Sequence, residues 1–349
     1  MSKISFKCLP VGDLPYEDDK LTTKMMVKLF EKSPFLAMLP KASESENLIT
    51  RTLENLPGIK IKKQQIVLDN RSSDFKQGLV DLDIAFNTPT DENLEKYKIN
   101  SFFIEKYLQI IKRVKPTETV VNLLGPFTFS QILENEDGLQ VLADKCYRKL
   151  VIQSIAVKAI WIINKIKEYS PETKPIIMLE DAGLSGFGNV KRENEDVNRD
   201  VVINMYAKIV QKIKENGGLV GVQCFEKCDW QLPIEAGVDI ISFDAYNNPN
   251  NLNIIAEKIN NFLVGGGRIN WGIVPVMNES MVKSLTIDYL YKRFVSTVEN
   301  LVLAGVSERL AYNRALVSIQ GNIDGLPLIF AEKAMMLAVQ LSKKIPFKS

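Results

Sequence analysis

Pro175–Leu179 reads PIIML and Leu219–Gln223 reads LVGVQ. Between them Val197, Val201, Met205, Ile209 and Ile213 recur every four residues, and Asn216-Gly217-Gly218 follows. A near-continuous apolar run is what a strand buried on both faces requires. A four-residue recurrence marks one face of a helix, and Asn-Gly-Gly supplies its stop. The stretch therefore predicts strand, helix, parallel strand. The same alternation extends in both directions. The other predicted strands are Ser5–Pro10, Phe35–Leu39, Thr119–Leu124, Asp239–Phe243, Arg268–Val274 and Ala315–Ile319. Leu142, Cys146, Leu150, Ile155, Ala159, Ile162 and Ile166 give a broad apolar helix face, and Asn278-Glu279-Ser280 opens a helix through Leu285, Tyr289, Phe294 and Val298.

Eight strands alternating with helices predict an α/β chain folded as a closed (β/α)₈ TIM barrel, one domain spanning residues 1–349. An open doubly wound sheet would carry a Gly-rich phosphate turn after its first strand, and none is there. Gly265-Gly266-Gly267 precedes a strand and reads as a helix-to-strand turn. A barrel needs roughly 250 residues. Most of the surplus falls between Leu56 and Lys115, which places an insertion after the second strand. There Ile59–Lys63 and Gln65–Asp69 look extended. Polar Asn87–Lys98 leads into a helix from about Ser101 to Val114. Lys112, Arg113 and Lys115 read as its solvated end.

The balance of 44 Lys and Arg against 42 Asp and Glu gives a net charge of +2, with no global pull toward nucleic acid or acidic membrane. No apolar run approaches the length of a membrane span, and the opening residues lack a signal-peptide core. Cytoplasm is the expected compartment, with Cys8, Cys146, Cys224 and Cys228 as reduced thiols. Histidine is absent. That removes Ser-His-Asp and Cys-His nucleophiles and His-ligated zinc from the chemistry open to this chain alone.

In a barrel, function sits at the C-terminal ends of the strands. Those ends read Val11-Gly12-Asp13-Leu14-Pro15-Tyr16, Met38-Leu39-Pro40-Lys41, Leu124-Gly125-Pro126-Phe127-Thr128, and Leu179-Glu180-Asp181-Ala182 running on to Gly188. They continue as Val222-Gln223-Cys224-Phe225-Glu226-Lys227-Cys228-Asp229-Trp230, Ser242-Phe243-Asp244-Ala245-Tyr246-Asn247, Trp271-Gly272-Ile273-Val274-Pro275 and Ser318-Ile319-Gln320-Gly321. This ordered set resembles the C-terminal barrel of cobalamin-independent methionine synthase. More closely, it resembles the stand-alone single-barrel proteins of the methionine synthase and uroporphyrinogen decarboxylase superfamily. The resemblance implies zinc-dependent methyl transfer, in which a coordinated thiol loses its proton and the thiolate attacks a methyl carrier.

The chain departs from that family at the metal positions. Gln223 stands where the family has its His, Phe225 where it has a ligand Cys, and Gln320 where it has the last Cys. The early Leu-Pro-His becomes Leu14-Pro15-Tyr16, and Asp-Glu-Pro becomes Glu180-Asp181-Ala182. Asp244 alone keeps ligand chemistry, and one carboxylate does not make a zinc site. No cofactor is expected, and zinc only if Cys224, Cys228 and Asp244 rebuild a site. Without that, Cys224 packs at a strand end and Cys228 lies in a loop.

The candidate substrate-binding residues are Tyr16, Glu180, Asp181, Gln223, Asp244, Asn247 and Gln320. Asp181 alternatively caps the next turn, Tyr16 fills space, and Trp230 and Trp271 pack beneath loops rather than against a flat cofactor. Gly183–Gly188 is expected to be a flexible loop. Three functions stay open. The first is a methionine-synthase-like methyltransferase homologue with a degenerate, zinc-free site, acting on a thiol or a corrinoid carrier. The second is a non-catalytic protein that holds a small polar ligand or methyl carrier, or docks beside a corrinoid protein or an intact paralogue. The third is a tetrapyrrole decarboxylase, ranked last because no Arg precedes Arg51. Neither nucleic acid nor membrane is an expected partner.

Overall fold

The computed structural model describes residues 7–10, 13–62, 65–138, 140–187 and 197–348. In chain order its strands are β1 (Ile59–Lys62), β2 (Gln65–Leu68), β3 (Glu118–Leu124), β4 (Glu134–Asn135), β5 (Lys174–Glu180), β6 (Leu219–Cys224), β7 (Ile240–Phe243), β8 (Arg268–Val274) and β9 (Ala315–Ile319). Six form one parallel sheet in the order β3-β5-β6-β7-β8-β9. Each matches a predicted strand to within about one residue, because a strand covered on both faces leaves an unbroken apolar run.

The sheet is curled. Arg268 opens β8 and donates from Nη1 to Oε2 of Glu118, which opens β3, over 2.8 Å. In a flat sheet these strands would lie roughly 19 Å apart, at about 4.8 Å per step. Only curvature brings their ends within one ion pair.

The first two predicted strands are corrected. Phe35–Leu39 is not a strand; Phe35 bridges Val120 of β3, and Met38 bridges Asp13. Side chains take the hydrogen bonds that a ladder would use. Arg51 donates to Leu36 O and Ala37 O over 3.1 and 2.8 Å, Leu124 N donates to Thr52 Oγ1 over 2.9 Å, and Thr119 Oγ1 donates to Pro34 O over 2.7 Å. Ser5–Pro10 lies partly outside the described residues. Within its described part, Cys8 bridges Val317 of β9, and Leu9 N donates to Val317 O over 2.8 Å.

The segment between Leu56 and Lys115, expected as an insertion, holds β1, β2 and three helices. β1 and β2 pair antiparallel, and β2 pairs with β4 in parallel. Helices Ser73–Asn87, Asp91–Glu95 and Ile104–Val114 follow. Lys115 takes a left-handed conformation at the last helix's end, with φ of 49°.

Helix Lys145–Tyr169 runs between the sheet and this insertion, and nearly every residue from Leu150 to Ile163 is buried. A helix apolar all round is the expected result of burial on both sides. Each large side chain it buries contributes roughly 1.5–3 kcal/mol. Cys146, predicted on its apolar face, is exposed. It lies in the first turn, where Asp144 caps its N–H, ahead of the packed segment. Helix Arg199–Glu215 ends as the Asn-Gly-Gly stop predicts: Gly217 has φ of +81°, and Gly218 N donates to Ile213 O over 3.0 Å. No helix among the described residues is long and apolar enough to cross a membrane.

Lys158, on the buried helix, is fully enclosed, with Nζ 3.4 Å from both Tyr97 O and Lys98 O of the insertion. Burial pulls its pKa down from 10.5 to about 7. Above pH 7 the folded chain has released this proton while the unfolded chain still holds it, so stability should rise with pH from 7 toward 10.5. Lys158→Met should remove that rise and raise stability near neutrality by on the order of 1–3 kcal/mol. Urea denaturation at a series of pH values measures both; an unchanged pH slope would contradict the assignment.

Candidate functional site

Registered neighbours on parallel strands point to the same face of a sheet. Glu180 registers with Gln223, Gln223 with Ser242, and Ser242 with Asn270. Their side chains therefore share the concave face, near the C-terminal ends of four strands. They are joined by hydrogen bonds. Ser242 Oγ donates to Gln223 Oε1 over 3.2 Å, and Asn270 Nδ2 donates to both Ser242 Oγ and Ser318 Oγ over 2.8 Å. Asn122 Nδ2 donates to Glu180 Oε1.

Two residues beyond Ser242, on the same face, lies Asp244. It accepts from Asn247 N at 2.9 Å, Asn247 Nδ2 at 2.7 Å and Gln320 Nε2 at 2.9 Å. The structure thus brings Asp244, Asn247 and Gln320 into direct contact, and Gln223 bonds one layer deeper through Ser242. Several polar atoms of this cluster are buried without a hydrogen-bond partner among the described residues: Gln223 Nε2, Asn270 Oδ1 and Gln320 Oε1.

Glu180 carries the site's charge together with two residues that the sequence reading passed over. Burial pushes the Glu180 pKa from 4.5 to about 7, and neighbouring Asp13 pushes it the same way. Asp13 itself rises to about 6, through burial and then the charge of Asp324. Arg51 pulls both carboxyls down. It is buried, 1% exposed, and faces Glu46 at 3.6 Å.

Asp181 does not join this cluster. It is buried on the other face and accepts from Phe127 N at 2.9 Å, Thr128 N at 2.6 Å, Thr128 Oγ1 at 2.5 Å and Tyr206 OH. It thus caps the helix Pro126–Ile132 from a neighbouring strand end, rather than capping its own turn. Gly125 makes the approach feasible, since a Cβ there would lie 2.3 Å from Asp181. Tyr16 is also buried, and its OH donates to Glu332 Oε1 over 2.9 Å. The expected flexible loop is corrected as far as Phe187. Ala182–Gly186 forms a 3₁₀ turn, and Phe187 packs edge-on against Phe127 at 5.5 Å. Gly183 N is held by Thr128 Oγ1 at 2.8 Å, which fixes the segment. Gly188, Val11 and Gly12 lie outside the described residues.

Trp230 and Trp271 belong to a row of edge-to-face and tilted rings, Trp230–Phe243–Trp271–Phe294–Tyr312, with ring centres 5.4–6.2 Å apart. Cys224 is buried at the end of β6 and donates to Glu226 O over 3.7 Å, with Cys228 hydrogen-bonded to it. Burial pushes the Cys228 thiol far up. Among the described residues no three Cys, Asp or Glu side chains gather as a metal site would require. The donor set at the mouth is amide, hydroxyl and carboxylate, and it does not fit a zinc ion that binds and activates a thiol.

The residues missed had a legible signal in part. Asn122, Ser242, Asn270 and Ser318 are lone polar residues inside apolar strands, at the same alternation as Glu180 and Gln223. Arg51 had none, since it reaches the site from the helix Leu48–Leu53.

No protein-family model matches the chain, and no curated protein matches it in sequence. Solved structures do match. A B12-independent methionine synthase from Shewanella sp. W3-18-1, in complex with selenomethionine, superposes with a TM-score of 0.55 at 12% identity, over 93% of this chain and 86% of that one. ZgEngAGH5_4 in complex with a cellotriose gives 0.45 at 11% identity, over 95% of each chain. A GH5-4 broad specificity endoglucanase from Bacteroides salanitronis gives 0.39 at 12% identity, over 69% and 77%. The first likeness supports an α/β fold related to that of a methionine synthase.

The Glu180 carboxyl gives a test of this geometry. Between its ordinary value of 4.5 and about 7, the unfolded chain ionises while the folded chain keeps its proton, so stability falls as pH rises. Glu180→Gln should remove on the order of 1–3 kcal/mol of that fall, leaving the part due to Asp13. A wild-type slope in the variant, measured by urea denaturation, would place Glu180 in solvent instead.

Proposed function

We propose that this chain is a methionine-synthase-like (β/α)₈ barrel whose mouth holds a small polar ligand without zinc. The bridges from Cys8 to Val317, Phe35 to Val120 and Asp13 to Met38 support eight-fold closure, because they link the first two segments to each other and to both sheet edges. The observation that carries the binding reading is the set of buried, unpartnered amide atoms beside Asp244 and Glu180. Leaving such atoms unsatisfied costs on the order of 1–3 kcal/mol each. A ligand that both donates and accepts hydrogen bonds would satisfy them.

An amino acid is the chemical class that fits. Its ammonium group complements Asp244, and its carboxylate complements the free Gln223 amide N–H. The activity that accompanies the family resemblance is methyl transfer to a thiol or from a corrinoid carrier. This mouth has no metal–thiolate chemistry to activate a thiol, so we assign it ligand binding. The expectation of a cytoplasmic location with reduced thiols carries over to this reading.

Elemental analysis should find the purified protein without stoichiometric zinc. One zinc per chain, lost on Cys224→Ser, would overturn the zinc-free reading. L-methionine and L-homocysteine are the probes for the amino-acid site. At least one should raise the melting temperature of the metal-free protein, and Asp244→Asn should weaken its binding about tenfold, or ~1.4 kcal/mol. No stabilisation by either, or an undiminished effect in the variant, would contradict the assignment.

A further inference from the structure

A cavity of about 720 Å³ lies away from the mouth, between the helices Lys145–Tyr169 and Arg199–Glu215. That volume is within the ~300–1,000 Å³ range of small-molecule sites. Its walls follow from helical spacing. Lys145, Lys149, Ile152 and Gln153 fall on one stripe of the first helix. Val201, Met205, Lys208 and Lys212 fall on one stripe of the second, facing the first. The floor is apolar, built from Ile152, Val201 and Met205, with Phe86 at the side. The upper walls are cationic.

Five cations line this groove: Lys145, Arg148, Lys149, Lys208 and Lys212, against one lining carboxylate, Asp200. Lys149 is paired with Asp83 at 2.7 Å, and Lys212 with Glu215 at 3.6 Å while it also lies over the Phe86 ring. Among the described residues, five positive charges against these three carboxylates leave an excess of two. Lys145 and Lys208 have no carboxylate partner among the described residues. Like charges held around an apolar floor repel one another, and an anion placed between them relieves that cost. The floor in turn favours an apolar body over a bare ion.

We propose that this groove binds a small amphipathic organic dianion, with an aromatic or branched apolar body on the floor and a phosphate-like head at the cationic walls to which Lys145 and Lys208 contribute. The site is independent of the amino-acid reading of the mouth. The test uses 1-naphthyl phosphate as the probe, with inorganic phosphate and 1-naphthol as head-only and body-only controls. Cys146 lines the groove and is exposed, whereas Cys8 and Cys224 are buried and Cys228 is half-buried. Maleimide labelling of Cys146, followed by peptide mass mapping, therefore reports occupancy at this place.

1-Naphthyl phosphate should protect Cys146 from labelling, and added salt should weaken the protection. The double variant Lys145→Glu, Lys208→Glu alters only exposed side chains. It should keep the wild-type melting temperature and lose affinity about tenfold or more. Asp244→Asn should leave the protection unchanged. Absence of protection, equal affinity in the charge-reversed variant, or equal protection by inorganic phosphate would overturn the proposal.

Discussion

A buried guanidinium must find hydrogen-bond acceptors and negative charge, or the fold that encloses it is destabilised by several kcal/mol. Arg51 meets both needs through its Nη atoms, while its Nε is buried without a partner among the described residues, and the architecture of the mouth follows from how the Nη atoms are used. Its Nη atoms hold the carbonyls of Leu36 and Ala37, which ties a segment with no ladder of its own against the edge of the curled sheet. Its charge faces Glu46 and acts on Asp13 and Glu180. The same side chain thus anchors the wall and offsets part of the repulsion between Asp13 and Glu180. Removing it would leave these two carboxyls without that counter-charge and the segment without its anchor.

Six strands were legible because burial on both faces writes the same signature, an unbroken apolar run, into each. The segment Phe35–Leu39 carries that signature too, yet it is only bridged. Arg51 takes the carbonyls of Leu36 and Ala37, Thr119 takes that of Pro34 just before the segment, and Thr52 takes Leu124 N at the end of β3. Apolar patterning reports burial; it does not report which groups satisfy the backbone. Asp181 was ambiguous for a related reason. Its strand position does not disclose that the helix Pro126–Ile132, built from residues far back in the chain, presents its N–H groups there. Arg51 was silent for the same cause, since its partners lie on other elements.

The mouth combines groups that bind with none that activate a thiol. Amides and hydroxyls run as a chain from Gln223 to Ser318, and Asp244 is shared by Asn247 and Gln320. Gln223 and Gln320 present carboxamides there. Amides do not lower the pKa of a bound thiol, but they orient polar ligands, and a buried set with free donor and acceptor atoms is specific for a complementary pattern. Burial and the neighbouring Asp13 hold the Glu180 carboxyl up to about 7, so it changes charge near neutrality.

These carboxamides converge on a shared space that a light-atom partner would fill. The most direct measurement is a crystal structure inspected for density beside Gln223 Nε2 and Gln320 Oε1. The account predicts that Gln320 Nε2 remains bonded to Asp244, with water or a small polar molecule about 3 Å from the free amide atoms. Amides swung apart into solvent, or a metal ion coordinated at the mouth, would contradict it.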